Sequence, residues 1–200
     1  PKSNINKLMN TAGQRLDTTN DILVAPWNDA ESLEAILDAH DDIAAVLMEP
    51  YMCDEGPILP KEGYLQAVKD MCEKHGVLLI FDEVITGFRL SLGGAQQYFG
   101  VTPDLAIFGK AIAGGFSLSM ICGRKELMEK VHPSGTFNAT PIAVAASLAT
   151  IAELEKPGTY EKMDALGKKL TDGLMELGKK HGIKVYANHH NAICQLQLGN

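Results

Sequence analysis

Residues 77–83 read Val77-Leu78-Leu79-Ile80-Phe81-Asp82-Glu83: an unbroken apolar run that ends on two carboxylates. A run that is apolar at every position has no solvent-facing side, which is how a strand reads when a parallel sheet buries both its faces. The same pattern stands upstream, where Ile43 to Met48 (IAAVLM) closes on Glu49-Pro50. Between them, Lys61 to His75 carries Leu65, Val68 and Cys72 at helical spacing, and Gly76 is placed to stop the helix in the left-handed conformation. Strand, helix, strand with both strands fully apolar is the unit of an α/β fold.

The alternation extends in both directions. Upstream, Ile22 to Ala25 is a short apolar run read as a strand. Asn28 with Glu31 fits a capping box before a helix bearing Leu33, Ile36 and Leu37. Downstream, Asp104 to Phe108 and Leu118 to Cys122 read as strands, Arg124 to Val131 as a short helix, and Pro141 to Glu155 as an alanine-rich helix with proline in its first turn. Tyr160 to Lys180 is a long amphipathic helix, with Met163, Leu166, Leu170, Leu174 and Leu177 on one stripe. Ile183 to Tyr186 and Ala192 to Leu198 then read as strands of a smaller α+β unit. The change of pattern at Pro157-Gly158 divides the chain into 1–157, part of a large domain, and 158–200, the start of a small one. Residues 1–20 are polar and aperiodic and read as a loop or frayed end.

The chain has 200 residues, 46% hydrophobic and 22% charged, with a net charge of −7. An acidic balance argues against a nucleic-acid surface, which needs a basic face, and offers no attraction to anionic membranes. No apolar run approaches the ~18 residues of a spanning helix, and the first residues have no apolar core of a signal peptide. Three of the four cysteines, Cys53, Cys72, Cys122 and Cys194, sit in apolar periodic segments. That fits reduced, structural thiols in a cytoplasmic protein. His189 and His190 are adjacent, so on a strand they face opposite sides and make poor co-ligands; no metal site is expected.

Ligands of open parallel sheets bind at the carboxyl ends of the strands. Glu49, Asp82, Glu83 and Lys110 fall there, the last within the glycine-rich stretch GKAIAGG. Apolar residues ending in Asp-Glu also suit the Mg²⁺ strand of an NTPase. That reading needs a P-loop, and at Gly109-Lys110 the first glycine is replaced by Asp104 and the hydroxyl by Ala111. The alternative is a pyridoxal 5'-phosphate (PLP) site, which requires a lysine for a Schiff base and an acid to pair with the protonated pyridine nitrogen. Asp82 and Lys110, at the ends of neighbouring strands, could meet across the top of one sheet.

The longer motifs decide between these readings. FDEVITGFR at 81–89, then Gly93-Gly94-Ala95, Phe99-Gly100-Val101, Pro103-Asp104-Leu105, Phe108-Gly109-Lys110 and Gly114-Gly115, closely resemble the class III PLP-dependent aminotransferases. Gly135 to Pro141 resembles that family's GTF-x-x-x-P turn. GGAQQYFGV is most similar to the branch containing glutamate-1-semialdehyde 2,1-aminomutase and the aminotransferase modules of polyketide and peptide synthases. The resemblance implies PLP fold type I: a mostly parallel sheet with helices on both faces, followed by a small α+β domain. It implies that Lys110 is the Schiff-base lysine and proton shuttle, that Asp82 pairs with the pyridine nitrogen, and that Val84 packs against the ring. Thr136 and the backbone at Gly135 would bind the cofactor phosphate of a neighbouring subunit, which implies a homodimer. Glu49 matches the family's strand-end Glu-Pro, with a more structural and electrostatic role.

Two positions depart from the pattern. Ile85 stands where many members carry glutamine to hold the cofactor's phenolic oxygen. Asp54 stands where the aminomutase has asparagine; an acidic residue there favours transamination between an amino donor and a keto or aldehyde acceptor over the intramolecular shift. A non-catalytic relative is the remaining alternative. The family's phosphate-cradling loop, ring-stacking aromatic residue and carboxylate-binding arginines have no counterpart in these residues, so the sequence is expected to be the central section of a longer chain.

Overall fold

The computed structural model describes residues 21–53, 56–132 and 134–199. Its larger sheet has the order β1 (Ala45–Met48), β2 (Leu78–Glu83), β3 (Leu105–Phe108), β4 (Met120–Gly123). The first three strands are parallel, and β4 runs antiparallel to β3. Helix α1 (Ala30–Ala39) precedes β1, and α2 (Tyr64–His75) makes the crossover to β2. Gly76 ends α2 at φ 68°, as the sequence predicts, with its N–H returned to the Cys72 and Glu73 carbonyls.

Register sorts the side chains onto two faces. Phe81 pairs with Ala106 and Glu83 with Phe108, so these four share one face with Leu79. That face is the core: Leu33 and Leu37 of α1, and Leu65, Val68, Met71 and Cys72 of α2, pack against Leu79 and Phe81. Burial pushes the Cys72 thiol up to about 11, so it is an inert apolar filler. Ile80, Asp82 and Ile107 occupy the opposite face and are half-buried, and beside them Leu47 is 62% and Ile121 54% exposed.

The carboxyl-terminal part is built from α5 (Pro141–Leu154) and α6 (Thr159–His181), reached through the one-turn α4 (Lys125–Met128), and the hairpin β5 (Val185–His190) and β6 (Ile193–Leu198). Helix α3 (Gly94–Phe99) lies between β2 and β3. The hairpin lies directly on α6, and a Cβ on Gly167 would come within 2.7 Å of the Asn191 carbonyl, so a larger residue there would push the two apart. Asn191 Nδ2 donates to the Leu90 carbonyl at 2.5 Å and the Tyr160 hydroxyl to the Phe88 carbonyl at 3.2 Å. Ile193 joins a core of Tyr51, Cys53, Leu90 and Ala95. The hairpin is therefore fastened to the loops at the carboxyl edge of the larger sheet.

Two expectations are corrected. Residues 22–25 form no strand; Ile22, Leu23 and Val24 are exposed, and no described strand pairs with them. The cap of α1 is Asp29, not Asn28. Asp29 accepts from the Ser32 N–H at 3.0 Å and the Ser32 hydroxyl at 2.6 Å, and these bonds hold its carboxyl below the usual range. Asn28, at φ 63°, instead bridges to the Leu59 carbonyl and the Lys61 N–H. The sequence predicts neither α3 nor the 3₁₀ turn Lys110–Ala113, because both are too short to show a helical period. Asp29→Ala should lower the urea midpoint of the intact protein; an unchanged midpoint would place the cap elsewhere.

Candidate active site

The parallel register of β2 and β3 brings the two central candidates to one edge. Asp82 pairs with Ile107, and Lys110 follows three residues later, so both leave the sheet at its carboxyl end. Asp82 is half-buried. One of its oxygens accepts the Val84 N–H at 3.0 Å, fixing the turn out of β2, and its other oxygen makes no hydrogen bond among the described residues. Lys110 is exposed, opens the 3₁₀ turn at φ 44°, and its amine has no acceptor among the described residues. A non-glycine residue held in the left-handed region costs of order 1–3 kcal/mol, and such strain clusters at functional sites. Val84 joins the two turns: a Cβ on Gly109 would lie 3.5 Å from Val84 Cγ1, in ordinary van der Waals contact.

The remaining candidates stand further out. Glu49 Oε2 accepts the Cys53 N–H at 3.0 Å, and the Glu49 carbonyl accepts Trp27 Nε1 at 3.0 Å, so it shapes the loop after β1. Ile85 packs against the Tyr51–Cys53–Leu90 core rather than presenting a polar group. Gly135 and Thr136 lie on an exposed turn closed by the Asn138 N–H to the Gly135 carbonyl at 3.1 Å. That turn leads into α5, which packs on the Lys110–Ala113 turn. Asp54 lies outside the described residues.

The residue that the sequence reading left without a role is Glu83. It is 0% exposed, yet it is a carboxylate. It accepts the Ala95 N–H at 2.5 Å, the Gln96 N–H at 3.1 Å, Gln96 Nε2 at 3.2 Å and the Thr86 hydroxyl at 3.0 Å. It thereby satisfies the free amides at the start of α3 and closes the turn after β2. Gly94, at φ 72°, is required twice, by its backbone conformation and because any Cβ would collide with the Glu83 carboxylate. The only sequence signal was Gly93-Gly94, eleven residues after a strand-end acid.

A surface cleft of about 520 Å³, lined by Leu37, Asp38, His40 and His75 among others, lies at the amino-terminal edge of the sheet, away from Asp82 and Lys110. Among the described residues no cluster of three or more His, Cys, Asp or Glu side chains could hold a metal ion. No helix there is long and apolar enough to cross a membrane.

Residues 6–187 match the aminotransferase class-III family. The chain belongs to the class-III aminotransferases. Among curated relatives of this class-III chain, the glutamate-1-semialdehyde 2,1-aminomutase of Methanocaldococcus jannaschii is 46% identical over 196 residues, 94% of this chain and 45% of that protein. The enzyme of the same name from Alkaliphilus oremlandii is 44% identical over 181 residues, 86% of this chain and 43% of that protein. The class-III chain thus spans about half the length of the curated relatives it matches. Among solved structures, an omega-transaminase from Sphaerobacter thermophilus superposes with a TM-score of 0.86 at 30% identity, covering 96% of this chain and 45% of that one. A glutamate-1-semialdehyde aminomutase from Pseudomonas aeruginosa, in complex with PMP, gives 0.75 at 27% identity over 87% of this chain and 42% of that one. The fold is that of the PLP-dependent aminotransferases, a mostly parallel sheet flanked by helices.

Replacing Glu83 by alanine would orphan two amide N–H groups and two side-chain donors, and should cost about 3 kcal/mol or more. Chemical denaturation of the intact variant measures it; a loss below about 1 kcal/mol would show that the carboxylate is not the clamp.

Proposed function

We propose that the protein is a PLP-dependent enzyme that moves an amino group, with Lys110 as the attachment point of the cofactor and Asp82 as the partner of its pyridine nitrogen. The observation that carries this is the β2–β3 register, which puts at the same sheet edge an amine without an acceptor among the described residues and a carboxylate with one oxygen uncommitted among them, with Val84 packed against Gly109 beside Lys110. The residues fit the cofactor's chemistry: a nucleophilic amine, an acid to keep a ring nitrogen protonated, and an apolar side chain for the ring's face. When bound, the cofactor supplies an electron sink for the substrate carbanion. The Lys110 amine then accepts and returns the proton of the substrate α-carbon. Asp82 holds the proton on the pyridine nitrogen. Glu49 and Glu83 hold the loops on either side in place, and Ile85 leaves the cofactor's phenolic oxygen to another donor. The relatives' names support the same chemistry, including a solved transaminase with PLP bound at 26% identity.

The wider arrangement belongs to this reading. Residues 1–157 form part of a large cofactor domain and 158–200 begin a small one. Thr136 and Gly135 serve the phosphate of the neighbouring subunit in a homodimer. In support, Phe137 is 84%, Ile142 68% and Leu148 65% exposed on the turn and helix around them, an apolar surface that a second copy would cover. Four free thiols fit a cytoplasmic setting.

Transfer between an amino donor and a keto or aldehyde acceptor is the primary reading, and Asp54 is its support in the sequence. The aminomutase names of relatives 43–46% identical favour the intramolecular shift as the second. In the intact protein supplied with PLP, Lys110→Ala should reduce turnover by about 10²–10⁴-fold and Asp82→Ala should also impair it severely. Wild-type rates in either variant would refute the assignment. Product analysis of a single amino substrate with and without added keto acid separates the two readings: catalytic turnover only when keto acid is present supports transfer between molecules, and catalytic formation of an isomer without keto acid supports the shift.

A further inference from the structure

Phe88 stands where the two halves of the candidate site meet. Its φ is 61°, a left-handed conformation that an aromatic residue rarely adopts and that persists only where the surroundings impose it. It lies in the turn that leads out of β2 after Asp82. That turn is closed by the Gly87 N–H to the Glu83 carbonyl at 2.9 Å, and by the Arg89 and Leu90 N–H groups to the Thr86 carbonyl at 3.1 and 3.2 Å. From there the Phe88 ring reaches Phe108, with ring centroids 5.7 Å apart. Phe108 ends β3, two residues before Lys110. Phe88 also packs against Ile112 and Ala113 of the Lys110–Ala113 turn. The approach is close, since a Cβ on Gly87 would collide with the Phe108 ring.

The Phe88 backbone is held from 72 residues away. The Tyr160 hydroxyl donates to its carbonyl at 3.2 Å. Burial raises the Tyr160 phenol above its ordinary value, so the hydroxyl keeps the proton it donates. Tyr160 is fixed in turn. The Thr159 hydroxyl donates to the Glu153 carbonyl at 3.2 Å and the Thr159 N–H to the Lys156 carbonyl at 3.2 Å, which ties the start of α6 to the end of α5. Helix α5 itself packs on the Lys110–Ala113 turn. The contacts therefore close a ring: Asp82 turn, Phe88, Lys110 turn, α5, Tyr160 and back to Phe88. A left-handed residue keeps its ring direction only while its backbone is held. With the carbonyl released, the turn is free to relax and to withdraw the ring from Phe108.

We propose that Tyr160 is a positioning residue: by holding the Phe88 carbonyl it keeps the Phe88 ring against Phe108, and so sets the spacing between the Asp82 turn and the Lys110 turn. The inference rests on the reading of Lys110 and Asp82 as the cofactor's two attachments. A cofactor bonded to Lys110 and paired with Asp82 at once depends on that spacing. A ring paired with Asp82 alone does not.

The test uses the intact protein freed of cofactor, as wild type, Tyr160→Phe, Phe88→Ala and the double variant. Dissociation constants are measured for PLP and for pyridoxine 5'-phosphate, which has an alcohol in place of the aldehyde and cannot bond to Lys110. The thermal midpoint is read alongside. Tyr160→Phe removes only the hydroxyl. It should weaken PLP roughly fivefold, the scale of one hydrogen bond, and pyridoxine 5'-phosphate by less than about twofold. In the Phe88→Ala background the ring is gone, and the same substitution should leave the PLP constant within about twofold. If Phe88→Ala does not fold, the Tyr160→Phe comparison alone decides. An equal change for both ligands, an unchanged PLP constant, a lowered midpoint without the selective loss, or a further loss of about fivefold on top of Phe88→Ala would each overturn the assignment. A wild-type protein that binds PLP no more tightly than pyridoxine 5'-phosphate would instead refute the reading of Lys110, and this inference with it.

Discussion

A single buried carboxylate fixes the geometry of the site. Glu83 stands one residue past Asp82 on β2, on the opposite face, and is completely enclosed. A charge there is tolerated only because backbone amides of α3, the Gln96 side chain and the Thr86 hydroxyl all converge on it. The consequence is positional. With Glu83 locked inward, alternation along the strand turns Asp82 to the other face, and the turn that follows is held at Val84, Thr86 and Arg89. Gly94 is the reciprocal constraint, since no side chain fits between α3 and that carboxylate.

From that anchor the two faces of β2 divide the labour. The Glu83 face is packed by α1 and α2 and supplies stability. The Asp82 face is half-open and apolar, bordered by Ile80, Ile107 and the exposed Leu47 and Ile121. A half-open apolar wall with one carboxylate and one lysine at its upper edge suits a flat aromatic cofactor. The hairpin β5–β6, through Asn191 and Ile193, and α6, through Tyr160, are clamped to the same edge, and their attachment points are the loops that carry Ile85, Phe88 and Leu90. The position of the hairpin and the geometry of that edge are therefore mechanically linked.

Much of this was legible in the sequence because it rests on local patterns. Apolar runs at 43–48 and 77–81 marked the strands, the glycine at 76 marked a helix end, and strand-end charges marked the edge where ligands bind. Long ordered motifs singled out Lys110 and Asp82, and the register brings both to the carboxyl edge of one sheet. What was not legible depended on tertiary contacts. Ile22 to Ala25 has a strand's composition, but a strand needs a partner, and the described sheet offers none there. The cap of α1 moved from Asn28 to Asp29 because Asn28 was recruited by the loop at Leu59 to Lys61. The role of Glu83 was not legible: strand alternation puts it on the face opposite Asp82, but its partners, the Ala95 and Gln96 amides, come from a helix twelve residues on that is too short to show a helical period.

The central claim is that Lys110 is the residue that carries the cofactor. Borohydride reduction of the intact protein loaded with PLP, followed by proteolysis and mass mapping, tests it directly. The account predicts that the phosphopyridoxyl group is found on the peptide containing Lys110. The group on a different lysine, or on none, would contradict it.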